Sequence, residues 1–165
     1  MKNTIYHSLS LALLPFLAIA VQSCSKGGTA APSQTLGQTY TGYLNGRTLT
    51  ETAFGGSSDN GGTWTTLPLP EPPPGRITIT FNTGGTFSTT EYPANGSLPA
   101  TNTGSWSVAA DGGAITFAYS QSSGGSAASY PIQSLSAGGA LVIIDKADPE
   151  TENGVTYAWL RATYD

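Results

Sequence analysis

The sequence predicts an all-β protein, an antiparallel up-and-down meander closing into an eight-stranded barrel, and three observations carry that prediction. The first is strand periodicity. In the run from Arg76 to Phe81, Ile77, Ile79 and Phe81 alternate with Thr78 and Thr80, the period-2 pattern of a strand with one buried face. The second is a recurring turn. Glycine pairs begin at 84, 112 and 138, 28 and 26 residues apart, each between two such runs. Glycine reaches positive φ without a Cβ clash, so each pair reads as the turn of a hairpin. The third is composition: only 10% of the 165 residues are charged, and the middle of the chain is rich in Thr, Ser and Gly, while Lys and Glu are scarce.

Taken in order, the chain opens with Lys2, an apolar run from Ile5 to Val21, and Val21-Gln22-Ser23-Cys24. This segment resembles a bacterial lipoprotein signal with its lipobox. The resemblance implies a signal peptide over 1–23 and Cys24 as the lipidated first residue of the mature chain. That residue would carry a diacylglyceryl thioether and an N-acyl chain such as palmitate. At about 0.8 kcal/mol per buried methylene, several chains make the membrane attachment nearly permanent. Ser25 rather than Asp follows the cysteine, which implies the outer membrane, and Ser25-Lys26-Gly27-Gly28 lacks the acidic run that directs some lipoproteins to the surface, which favours the periplasmic face. Residues 24–38 are rich in Gly, Ala, Ser, Thr and Pro and read as a flexible tether with a reach of about 20 Å. The remaining 39–165 read as one domain.

Within that domain Asn45-Gly46, between Tyr43-Leu44 and Thr48-Leu49, predicts a type I′ hairpin over 40–53. Gly55 to Gly62 is a polar loop, and Pro68 to Pro74 a stiff connector, because proline fixes φ and lacks an amide donor. Eight strands follow from alternation and turn signals: 63–67, 76–82, 85–92, 103–109, 113–119, 127–133, 139–145 and 155–163. Closure into a barrel removes exposed strand edges; a sandwich could use the same strands.

Several functions are excluded by what the chain lacks. Its one histidine, His7, lies in the signal segment, so the mature chain has no imidazole for a Ser-His-Asp or Cys-His mechanism or for histidine-ligated zinc. A lone cysteine permits no internal disulfide. The net charge of −4 becomes −5 without Lys2, and no cluster of Lys and Arg follows, which argues against nucleic acid as a partner. Asp145, Asp148, Glu150 and Glu152 fit no EF-hand spacing and read as a solvated hairpin tip, so no metal and no cofactor is expected.

Certain short motifs resemble the lipocalin-like (calycin-type) domains of small bacterial lipoproteins. They are Ile79-Thr80-Phe81-Asn82 with Gly85-Thr86-Phe87, Gly104-Ser105-Trp106, Tyr130 to Ser136 with Leu141, and Trp159-Leu160-Arg161, within about 62–163. The resemblance implies small-molecule binding and identifies no ligand; the expected occupant is a small apolar or aromatic molecule, bound without catalysis. It also casts Gly62-Thr63-Trp64 as the first-strand motif and Arg161 as the arginine packed on that tryptophan. Alternation puts Glu91 and Arg161 on the faces shared with Trp106, Phe117 and Trp159, and Glu51 on that of Leu49. Glu91, Trp106, Phe117, Trp159 and Arg161 are therefore the candidate ligand-binding residues, the competing reading being that the rings fill a small barrel and the charges sit in water. An accessory protein that contacts another envelope protein or a glycan through loops 92–102 and 120–129 is the alternative function.

Replacing Cys24 with Ser is expected to move the protein from the membrane to the soluble fraction. Continued membrane pelleting of the variant would disprove lipid anchoring.

Overall fold

The computed structural model describes residues 33–69, 77–92, 97–146 and 149–165. The signal segment, Cys24, most of the proline-rich connector and Asp148 lie outside them. The described chain begins with helix α1 (Leu36–Leu44) and continues through β1 (Thr48–Ser57), β2 (Thr65–Leu67), β3 (Ile77–Asn82), β4 (Thr86–Glu91), β5 (Ala100–Val108) and β6 (Ala114–Tyr119). A short 3-10 turn, Gln121–Ser123, leads to β7 (Ala127–Leu135) and β8 (Leu141–Asp145), then the small hairpin β9 (Glu150–Glu152) and β10 (Val155–Tyr157), and finally β11 (Trp159–Tyr164).

Eight of these strands form a closed antiparallel barrel in the order β1-β3-β4-β5-β6-β7-β8-β11, with β11 returning to β1. Strand β1 makes the closure because it serves two neighbours in succession. Thr48 to Thr50 pair with β3, and Glu51 to Ser57 pair with β11. The handover coincides with a bulge: Glu51 faces Tyr164 and Ala53 faces Thr163, so Thr52 is an extra residue on β1. An inserted residue bends the strand and reverses which side chains face inward beyond it. Leu49 and Glu51 are buried before the bulge, and Phe54 lines the interior after it. Where β3 leaves the edge of β1, the three residues of β2 take its place, outside the closed circuit.

Alternation sorts the strands into an apolar inside and a hydroxyl-rich outside. Leu49, Ile79, Phe81, Phe87, Trp106, Ile115, Phe117, Leu141, Ile143 and Tyr164 form one buried cluster, and each fully buried ring or aliphatic group contributes about 1.5–3 kcal/mol. On the outer face, Thr48 bonds Thr80 and Thr116 bonds Ser129 across neighbouring strands. Apolar inside with polar outside is the reverse of a membrane-spanning barrel.

The segment 40–53 is not a hairpin. Asn45 (φ −52°, ψ 124°) precedes Gly46 at φ +77°, the geometry of a type II turn, whereas type I′ needs positive φ at both residues. Leu44 accepts from the Arg47 amide across this turn at 3.0 Å, and residues 36–44 before it are helical. Thr35 and Gln38 form a capping box: the Thr35 hydroxyl accepts from the Gln38 amide, and the Gln38 side chain accepts from the Thr35 amide. Type I′ geometry is found instead at Asn153 (φ +51°) and Gly154 (φ +80°), which join β9 to β10.

A nine-residue helix is too short to stand alone, so α1 exists because it docks. It lies against the barrel end that carries the β3–β4, β5–β6 and β7–β8 turns. Leu44 is fully buried there, with Tyr40 and Tyr43 packed beside it. The Gly37 amide donates to Ala110 O at 3.1 Å, and a Cβ at Gly37 would collide with the Ala109 carbonyl. Gly37→Ala is therefore expected to destabilise the protein by about 1–3 kcal/mol in chemical denaturation. At Gly42 a Cβ would meet nothing, and Gly42→Ala is expected to be neutral or stabilising by up to about 1 kcal/mol. Equal effects at the two sites would contradict this docking.

Candidate functional site

The interior of the barrel divides into a packed half and a cavity. From the helix end, rings succeed one another in edge or tilted contacts. Trp106 meets Phe81 at 5.0 Å between centroids, Phe81 meets Phe117 at 6.0 Å, and Phe117 meets Phe87 at 4.9 Å and Tyr130 at 6.1 Å. Phe87 then meets Tyr119 at 5.3 Å. Room for the Phe87 ring exists because the residue opposite it is Gly104, where a Cβ would sit 2.8 Å from the ring.

Beyond the rings the barrel holds a cavity of about 270 Å³, lined by Glu51, Phe54, Ile77, Ile79, Thr89, Glu91, Asn102, Phe117, Tyr119, Tyr130, Ile143, Asp145, Leu160, Ala162 and Tyr164. This lies at the small end of ligand sites, the scale of a compact molecule and not of a long acyl chain. The lining comes from the start of β3, the end of β4, the start of β5 and the ends of β6 and β8, which places the opening at the end opposite α1. On one side the wall is a second buried cluster. Leu67, Tyr157 and Leu160 pack with Phe54, and the Tyr157 ring lies against Gly56, where any Cβ would overlap it.

Of the five candidate residues, Glu91 and Phe117 line this cavity. Trp106 is buried at the packed end, and among the described residues its Nε1 is the buried side-chain nitrogen or oxygen without a hydrogen-bond partner. Trp159 and Arg161 belong to the outer face, a correction to the inward alternation assigned to the last strand. Two faces alternate in Trp159 to Tyr164, and the barrel takes the uncharged one, Leu160, Ala162 and Tyr164. Arg161 does stack on Trp64, 4.6 Å from the ring centroid, but outside the barrel and beside β2; Lys146 stacks likewise on Trp159 at 4.0 Å.

Other lining residues follow the same alternation: Tyr119 shares a face with Phe117, Tyr130 with Ile132, and Asp145 with Ile143. Phe54 is different, because the bulge at Thr52 reverses its side. Three carboxylates thus reach the cavity from three strands. Glu51 on β1 is 6% exposed, Asp145 on β8 is half-buried, and Glu91 at the end of β4 lies at the rim.

Tyr164, directly across from Glu51, has its phenol pKa raised far above the usual value, first by burial and then by the negative fields of Glu51, the neighbouring phenols and Asp145. Burial also raises Tyr119. Compared with known proteins, the chain matches no protein-family model, no curated protein and no solved structure.

Below about pH 10 the Tyr164 phenol is protonated in both folded and unfolded chains, and stability is unaffected by its titration. Above that pH the unfolded chain loses the proton first, so stability falls by up to about 1.4 kcal/mol per pH unit. Tyr164→Phe is expected to make this decline shallower in denaturation measured from pH 8 to 11. Identical slopes for parent and variant would contradict the assigned burial of the phenol.

Proposed function

We propose that the protein binds a small apolar or aromatic molecule inside the barrel without catalysing a reaction, in the manner of a lipocalin-like domain, and that a lipid on Cys24 holds it at the bacterial envelope. The cavity carries the binding reading. It is bounded by Phe117, Tyr119 and Tyr130 on one side and by Phe54 and Leu160 on the other, while the rest of the interior is filled by interlocking rings. A binding site is commonly of this kind, concave and mostly apolar with a few polar groups. The envelope location is supported by the lipobox-like run ending at Cys24.

An accessory role is favoured by a different observation. Leu98, in the β4–β5 connection, is 90% exposed, and Tyr92 in the same connection is exposed as well. Native mass spectrometry of the full chain carrying Cys24→Ser, after exposure to an extract of its host, separates the two. A reproducible added mass of small-molecule size is expected. An unmodified monomer mass under conditions that preserve the fold would overturn the binding reading in favour of a macromolecular partner.

A further inference from the structure

We infer that the cavity is built for a molecule of two fused aromatic rings bearing a hydroxyl or carbonyl group. The inference rests on the binding reading above and adds the size, the flatness and the polar group of the occupant. Size comes from the volume. An apolar cavity of about 150 Å³ holds one benzene. The barrel cavity, at about 270 Å³, is nearly twice as large, which suits a second fused ring but not a third.

Flatness comes from the walls. Toward the packed half, Phe117 meets Phe87 at 4.9 Å and Phe81 at 6.0 Å, and Tyr119 meets Phe87 at 5.3 Å. Phe117 and Tyr119 also line the cavity, so the array of interlocking rings ends at its wall, with Phe54 across the volume. Aromatic pairs at about 4.5–7 Å between centroids gain more than the area they bury. A flat aromatic molecule between these walls continues the array, whereas a puckered saturated one of the same outline gains area alone.

The polar group comes from three neutral side chains on one wall. Glu51, Tyr130 and Asp145 already interact within the protein. The Thr89 hydroxyl, the Asn102 amide and the Tyr119 phenol reach the same volume and have no hydrogen-bond partner among the described residues. They lie on neighbouring strands: Thr89 is the register partner of Asn102, and Tyr119 faces Gly104, two residues along β5 on the same side. Thr89 is only 8% exposed, and an enclosed polar group without a partner costs free energy. Together the three offer donors and acceptors, the complement of a hydroxyl or carbonyl on the edge of a ring system. A pure hydrocarbon would leave them unpaired, which is how a polar site rejects an analogue that lacks the polar group.

Equilibrium dialysis of the full chain carrying Cys24→Ser tests this with 2-naphthol, naphthalene, decahydro-2-naphthol and 9-phenanthrol. 2-Naphthol is expected to bind tightest, about fivefold or more over naphthalene, which lacks the hydroxyl. It is expected to bind about threefold or more tighter than decahydro-2-naphthol, which keeps the hydroxyl and loses the flat rings. 9-Phenanthrol, with a third ring, is expected to bind weakest. Thr89→Val and Asn102→Leu are each expected to bring 2-naphthol close to naphthalene while leaving naphthalene unchanged. Should the closely packed Thr89 site not tolerate valine, Tyr119→Phe removes a hydroxyl from a half-buried ring with the same expected loss. Equal binding of 2-naphthol and naphthalene, equal binding of 2-naphthol and its saturated analogue, or preference for 9-phenanthrol would overturn the inference and leave a binding barrel standing. Failure of all four to bind would overturn it as well, and the binding reading falls with it only if the host extract also leaves the monomer mass unmodified.

Discussion

The whole molecule depends on β1 pairing with two neighbours in succession. Without the pairing of β1 with β11 the sheet would be open, with unpaired edges at both ends and no enclosed interior. At this seam β1 carries one inserted residue, Thr52, whose hydroxyl donates to the Asp165 carboxylate at 2.8 Å. Next to it, Thr50 and Asp165 exchange backbone hydrogen bonds at 2.8 and 3.0 Å, so the closure continues to the last residue. Ring packing, the cavity and the docked helix all presuppose this seam.

Given a closed barrel, ring size decides what the inside becomes. Phe81, Phe87, Trp106 and Phe117 fill the half nearest α1, where Gly104 leaves space for one ring edge. Toward the other end the inward positions hold Thr89, Asn102 and Ala162 among the larger groups, and volume is left over. Phenols and carboxylates lie in that half, Glu51 and Tyr164 nearly buried and Glu91 exposed at the rim.

Most of the barrel was legible in the sequence, since alternation and glycine-paired turns place six of its strands within a few residues. Three features resisted, each for a physical reason. Asn45-Gly46 suits more than one turn type, and β-prone Thr and Tyr obscured the helical spacing of Leu36, Tyr40, Tyr43 and Leu44, although Thr35-x-x-Gln38 announced a helix start. The bulge at Thr52 changes which residues of β1 face inward, and no residue type there signals it. In β11 both alternations contain a large aromatic residue, and Trp159 drew attention from Tyr164. The Arg161–Trp64 stack was legible as a pairing but not as an exterior one. Of the site, Glu91, Phe117 and Glu51 followed from alternation, whereas Phe54 and the β11 face could not.

The seam also fixes an order of events. Thr52 and Asp165 are 113 residues apart in sequence, so β1 leaves the ribosome long before the strand that completes it. Until then the nascent chain exposes the edge of β1 and the rings of an unclosed sheet, the surfaces on which partly folded β proteins aggregate. Such distant pairing is slow to form, because the entropy of the intervening loop is lost before any contact compensates it. Removing a few residues after Ala162 would therefore do more than shorten an end. It would strip Thr50, Glu51 and Ala53 of their partners and leave the seam to the pairs from Phe54 to Ser57.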